Sequence, residues 1–420
     1  MEDASPWQIL KKLRIIGGGW AGLSAAIRAV QRGWQVRIQE AAPTLGGRAR
    51  RIQRAGLNLD NGQHILIGAY SQTLQLLKLV GVNEEQVLMR IPLQIITPQG
   101  FEFKASNWPS PLHVLTAIAT ATTWSIQDKF FLLKTCIHWQ AQQFNCDSSL
   151  TVQELCQTLS PLVYQSMIEP LCIAALNTPA SQASASVFLR VLQDAFLSGT
   201  HGSDFLLPRV DLSELFVIPA QKWLIQNGAV IECHQRVESI ESSQHDDKIS
   251  LLACPPWEAA RLTQEIHPHW SSITSQLQFE TIATVYTRSK SNSLSHPILS
   301  LTTQYPSQAQ FVFDQGLISQ NPNKKGLWSW VVSASLGDRD TITQSVLDQA
   351  HHLGFSDLEV ITTVVEKRAS FSCKPGITRP PSNVGRGLWA CGDYIEGPYP
   401  STLEGAVLSG QQVIDQISQS

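Results

Sequence analysis

The sequence predicts an α/β fold with a second, α+β domain interleaved in it, and three observations carry that expectation. Leu13–Ile16 is a short, mostly apolar run that ends at Gly17, as a buried parallel strand does. Ala21–Arg32 follows as a helix of small and apolar residues stopped by Gly33, and Val36 and Ile38 then alternate through a strand, Trp34–Gln39. Strand, helix and strand in quick succession make a βαβ unit, the start of a Rossmann-type domain. The rhythm lapses between about Ile91 and Phe205, then returns from Val210, so the two domains are woven together.

The middle is helical in pattern, with Asp128–Gln143 and Thr151–Leu159 as examples. Pro219–Gln226 reads as a short helix with Pro in its first turn, closed by Asn227-Gly228. Ala229–Ile240 reads as strands, and Ile249–Ala253 as another, cut by Cys254-Pro255-Pro256. Ala283–Tyr286 and Trp328–Ser335 belong to a second sheet. Gly387–Asp393 is a strand running into a loop, and Thr402–Ile417 is the last helix. The expected division gives the nucleotide fold 1–90, 206–256 and 361–420, and the second domain 91–205 and 257–360.

A chain of 420 residues holds two or three domains at ~100–200 residues each. Charged residues are 15% and the net charge is −3, which offers no basic excess for phosphate backbones and argues against nucleic-acid binding. Met1–Leu10 has acidic residues and no apolar h-region, so no leader is expected. The eight Cys lack any C-x-x-C and read as reduced, mostly buried thiols rather than a metal site. The longest spans without charge, Ala105–Gln127 and Ser291–Phe313, each hold two prolines and are less than half apolar, too polar to cross a membrane.

The chemistry concentrates in three motifs. Gly17, Gly18, Gly19 and Gly22 form G-x-G-x-x-G with one extra Gly, between the first strand and its helix. Such glycines permit the tight turn, the approach of backbone to a pyrophosphate and close helix–strand packing. The helix N-terminus adds N–H groups and a positive dipole end. Glu40 closes the second strand, where a carboxylate can accept from both adenosine ribose hydroxyls. Leu45-Gly46-Gly47-Arg48-Ala49 comes next, and a plain nicotinamide site has no use for it. A longer flavin dinucleotide has: Gly46 and Gly47 admit backbone, and Arg48 can pair with pyrophosphate. Gly392-Asp393 ends a strand where its carboxylate can meet ribityl hydroxyls. Thr402, Leu403 and Glu404 open the last helix toward a reduced ring. These three pieces in this order predict FAD, bound without a covalent tether.

The same motifs resemble the amine oxidase and phytoene desaturase superfamily of flavoproteins. Asp60–Tyr70, Phe205–Arg209, Leu212–Phe216 and Glu366–Phe371 are similar, more narrowly, to the hydroxysqualene dehydroxylases, squalene-associated FAD-dependent enzymes of hopanoid biosynthesis. The resemblance runs from residue 13 to about 410. It implies an uncharged, allylic polyisoprenoid alcohol, hydroxysqualene, in a long apolar cavity, reduced to squalene by hydride from FAD. The missing spanning segment and the uncharged stretch Ala105–Gln127 suggest a cytoplasmic protein with peripheral contact on the inner face of a membrane. A carotenoid-type desaturase or an amine oxidase is the enzyme alternative, and a prenyl-binding escort protein on the same fold is the non-enzyme one.

His64 is the candidate catalytic acid; its other reading is a buried ring bonded to backbone that holds the loop Asp60–Gln63. Asp60 orients His64 or, more in keeping with its type, caps the next helix. Arg209 reads as an anchor. Tyr399 and Trp257 either wall the ring and substrate or belong to the core. Trp108–Trp124 and the apolar face of Lys129–Trp139 form a greasy entrance or a helical cap, and Leu115 and Ile118 are the expected membrane-facing pair.

Overall fold

The computed structural model describes residues 11–240, 248–290, 293–303, 308–319 and 321–419. The reading of Met1–Leu10 lies outside the described residues, as do parts of Ser291–Phe313.

Residues 12–16 form the centre of a six-stranded sheet. From one edge its strands run Val230–Glu232, Gln35–Gln39, Lys12–Ile16, Lys248–Leu252, Leu388–Ala390 and Asn383–Gly385. The first five are parallel, and the last pair is antiparallel. Alternating polar and apolar residues in Gln35–Gln39 leave Val36 and Ile38 buried and Gln35 and Arg37 exposed. Three distant parts of the chain thus build one sheet.

The helix Trp20–Gln31 packs its buried Leu23, Ala26 and Ile27 on that sheet and meets the C-terminal helix Leu403–Gln419. The two are fastened by Arg28 and Arg32 on Asp415 and by the Ser24 hydroxyl donating to the Val407 carbonyl at 2.9 Å.

A second, antiparallel sheet runs Ile298–Ser300, Phe311–Asp314, Leu327–Ser333, Phe279–Ser289, Leu358–Phe371. Its core holds fully buried Trp328 and Trp330, whose indole N–H groups donate to Asp314 and Thr287. The long strand Leu358–Phe371 runs straight through the boundary expected at 360/361. Its β-branched stretch Val360–Val365 favours one continuous strand beside Phe279–Ser289. The helix Arg339–His352 packs Ile342, Val346 and Ala350 on this sheet, and the helices of residues 112–197 carry the largest core cluster.

Two local expectations change. Of Ala229–Ile240 only Val230–Glu232 is strand, because the chain then turns and donates from His234 and Gln235 to the Ala42 and Glu40 carbonyls. Of Thr151–Leu159 only Val152–Leu155 is helix. A Thr151/Glu154 capping box starts it, and Ser160 begins a new helix ahead of Pro161.

Candidate active site and cofactor cradle

Gly17 to Glu40 are placed by the βαβ unit. Gly17 donates to the Gln39 carbonyl at 2.8 Å, and Gly18 donates to Glu40 Oε2 at 2.7 Å. Glu40 Oε1 accepts from Ala42 at 2.8 Å. Each carboxylate oxygen keeps a lone pair for a ligand hydroxyl. The second glycine motif is zipped onto the first, since Gly46 donates to the Gly18 carbonyl at 2.8 Å.

The glycines divide by what a side chain would meet. A Cβ on Gly22 would sit 2.2 Å from the Gly17 carbonyl oxygen, so Gly22 serves the close packing of helix on strand. A Cβ on Gly19 would find only Gly47 Cα, at 3.8 Å. Gly19 faces open space, a cradle that a side chain would fill. That cradle belongs to a cavity of about 710 Å³, within the ~300–1,000 Å³ of ordinary ligand sites.

Contacts trace the cavity wall from Glu40 onward. Arg48 donates to Asp393 Oδ1 and to the Ala369 carbonyl, both at 2.6 Å. The two groups expected on separate parts of the cofactor are therefore an ion pair here. Burial alone would raise Asp393, but Arg48, Ser401 and Arg379 hold its carboxyl below the usual range. Tyr394 adds a buried hydroxyl at the wall with no hydrogen-bond partner. An unpaired polar atom and a glycine cradle beside paired carboxylates and a guanidinium fit a dinucleotide.

Tyr70 and Thr402 also line the cavity, and Ile65, Ile67, Ala174, Leu176 and Val191 add an apolar stretch to its wall. Thr402 Oγ1 accepts from Gly405 and starts the last helix at Leu403. The Glu404 carboxylate is committed elsewhere: it accepts from the Gln72 and Thr73 N–H groups and the Thr73 hydroxyl, capping Ser71–Leu79.

His64 lines the cavity, and its Nδ1 donates to the Gly62 carbonyl at 2.9 Å. Burial lowers its pKa, the Gly62 bond opposes this, and Arg48 lowers it further. The lowered pKa and the bond to Gly62 favour a neutral ring that carries its proton on Nδ1. This geometry matches the loop-holding reading of His64. Asp60 neither orients His64 nor caps Ser71–Leu79. Its Oδ1 accepts from Leu212 at 2.8 Å, far along the chain, because the strand Leu57–Asp60 ends against that turn. Arg209 donates to the Leu88 and Ile318 carbonyls, an anchor. Trp257 lies in the wall beneath Arg368, 4.4 Å from its ring centre.

Sequence reasoning missed Arg379. Its buried guanidinium donates to the carbonyls of Asp393, Tyr394, Gly397 and Tyr399, at 2.6 to 3.3 Å. It thereby fixes the whole loop after Gly392. Its hydrogen-bond acceptors are all backbone carbonyls, so no motif announces it.

A family model described as flavin containing amine oxidoreductase matches residues 20–418. The hydroxysqualene dehydroxylase of Zymomonas mobilis is 23% identical, covering 96% of this chain and 97% of that protein. That of Sinorhizobium fredii is 26% identical over 96% and 98%. A probable zeta-carotene desaturase of Synechococcus elongatus is 23% identical over 96% and 97%. Among solved structures, an oxidoreductase from Methanosarcina mazei has the same fold, with a TM-score of 0.70 at 16% identity over 96% of this chain and 100% of that one. The cofactor of the cradle is FAD. By this match along its length, the chain belongs to the flavin containing amine oxidoreductase family, and is an FAD-dependent oxidoreductase.

Proposed function

We propose that this enzyme reduces hydroxysqualene to squalene. The observation that carries the reading is the apolar stretch of the cavity wall, where Ile65, Ile67, Ala174, Leu176 and Val191 suit an uncharged polyisoprenoid and strip it of water. Full-length likeness to two dehydroxylases supports it, as do the stretches Asp60–Tyr70 and Phe205–Phe216. Reduced FAD supplies a hydride when bound. The substrate carbon loses its hydroxyl, which takes a proton and departs as water, and the carbon gains the hydride.

In this reading Gly17, Gly18, Gly19, Gly46 and Gly47 give the FAD pyrophosphate its backbone path. Glu40 takes the ribose, Arg48 and Asp393 the pyrophosphate and ribityl chain, and Thr402 and Leu403 face the ring. The protein docks from the cytoplasm on the inner face of a membrane. No helix among the described residues is long and apolar enough to cross one.

The test is anaerobic. Chemically reduced protein mixed with hydroxysqualene should regain its yellow flavin absorbance and form squalene, and deuteride carried on the flavin should appear in the product. A second reading, oxidative desaturation of a polyene, has the Synechococcus relative in its favour. It takes over if the alcohol leaves reduced protein untouched while oxidised protein dehydrogenates a polyene.

A further inference from the structure

The apolar stretch of the cavity wall has one polar corner that the cofactor motifs do not absorb. Asp194 lies one helical turn from Val191 on the helix Ala185–Leu197, and both face the cavity. Tyr399 faces it too, three residues before Thr402. Arg190 joins them: its Nε donates to Asp194 at 3.1 Å, and its Nη2 donates to the Tyr399 hydroxyl at 3.5 Å. The guanidinium also lies 5.4 Å from the Tyr399 ring centre. Arg379 holds the Tyr399 carbonyl at 2.7 Å, so the residue is fixed from the other side.

Other polar groups near this stretch are already occupied. Glu404 caps a helix, and Glu366 accepts from Asn61 at 3.1 Å. A ligand of carbon and hydrogen alone has no bond to exchange with Asp194 or Tyr399, which are both paired with Arg190. An alcohol is both donor and acceptor, and this corner offers an acceptor beside a donor.

We infer that Arg190, Asp194 and Tyr399 form the alcohol-recognition site of the cavity: Tyr399 donates to the ligand's hydroxyl oxygen, and Asp194 accepts its O–H. Arg190, bonded to both, is the positioning residue. Burial, and then the hydrogen bond to Asp194, raise the Tyr399 pKa, so the phenol keeps its proton at neutral pH; the alcohol enters between the two, accepting that proton's bond and giving its own O–H to Asp194. The inference rests on the proposed reaction and deepens it, since it names what separates the alcohol from its hydrocarbon product.

The test uses oxidised, FAD-loaded protein, which binds without turning over. Hydroxysqualene and squalene are titrated separately, and the perturbed flavin absorbance reports each Kd. Wild type should prefer the alcohol by about tenfold or more, the worth of one or two hydrogen bonds. Tyr399→Phe and Asp194→Ala should each erase most of that preference while squalene affinity and FAD content stay constant. The two variants sit on different elements, so one remains readable if the other loses FAD. Equal binding of both ligands by wild type overturns the inference, and so does an unchanged preference in the variants. If the preference exists and falls in Tyr399→Phe, yet reduced protein forms no squalene, the corner stands and the dehydroxylase reading falls.

Discussion

Gly19 and Gly22 stand in one motif but answer to different neighbours, and substitution separates them. A side chain at Gly19 enters open cavity, where the extended backbone (φ −76°) accepts any residue. Gly19→Val should therefore keep native far-UV dichroism and lose bound FAD; full flavin content in that variant would show that the pyrophosphate runs elsewhere. Asp60 makes a different kind of prediction. Burial raises its carboxyl to about 7, the Leu212 bond lowers it and Asp211 raises it again. The folded value lies above the ordinary 3.8, so the contribution to stability is complete below about pH 3.8 and is lost as pH rises through about 7. Asn in its place can still accept from Leu212. Asp60→Asn should gain thermal stability relative to wild type on going from pH 5 to pH 8, and a gap that does not change with pH would refute the shift.

The elements that could be read in the sequence were those whose partners are periodic. Leu13–Ile16 and Ile249–Ala253 are apolar runs, and both lie inside the parallel sheet as such runs should. Leu358–Phe371 escaped because polar and β-branched residues mix along it, and its length depends on the strand beside it. The glycine loops and acids of the cradle were visible as spacing. The pairing of Arg48 with Asp393 and the grip of Arg379 were not, since they join positions far apart in the chain. The contact between the first and last helices was equally hidden. A Cβ on Gly410 would stand 2.3 Å from the Ala21 carbonyl oxygen. Helix propensity alone favours Gly410→Ala by about 1 kcal/mol. Backbone cannot yield as a side chain does, so the clash should win and the variant should lose about 1–3 kcal/mol in denaturant melts. A net gain would mean that the two helices part easily.

At the scale of the molecule, the membrane reading changes its residues. Ile118 is packed inside and cannot face lipid, whereas Leu115 is exposed. Larger exposed side chains in this part of the chain are Trp108 (57%), Ile126 (89%), Phe130 (61%) and Ile137 (58%), the last three on one face of Ile126–Ala141. Lys129 and Lys134 stand on the same helix and suit an anionic surface. Phe130→Glu with Ile137→Glu should reduce co-sedimentation with anionic liposomes and leave FAD content intact; unchanged sedimentation would remove this helix from the membrane reading. The woven sheet carries a consequence for synthesis. While the ribosome is still short of Asn383, the strand Lys248–Leu252 has a bare edge and the helix Trp20–Gln31 lacks the cover of Leu403–Gln419. Asp393 and Thr402 have not yet been made. On the cofactor roles proposed for Asp393 and Thr402, the emerging chain lacks two of its flavin contacts, however early the glycine loop appears. Until Leu388–Ala390 and Leu403–Gln419 join, the open strand edge is exposed to other unfinished chains nearby.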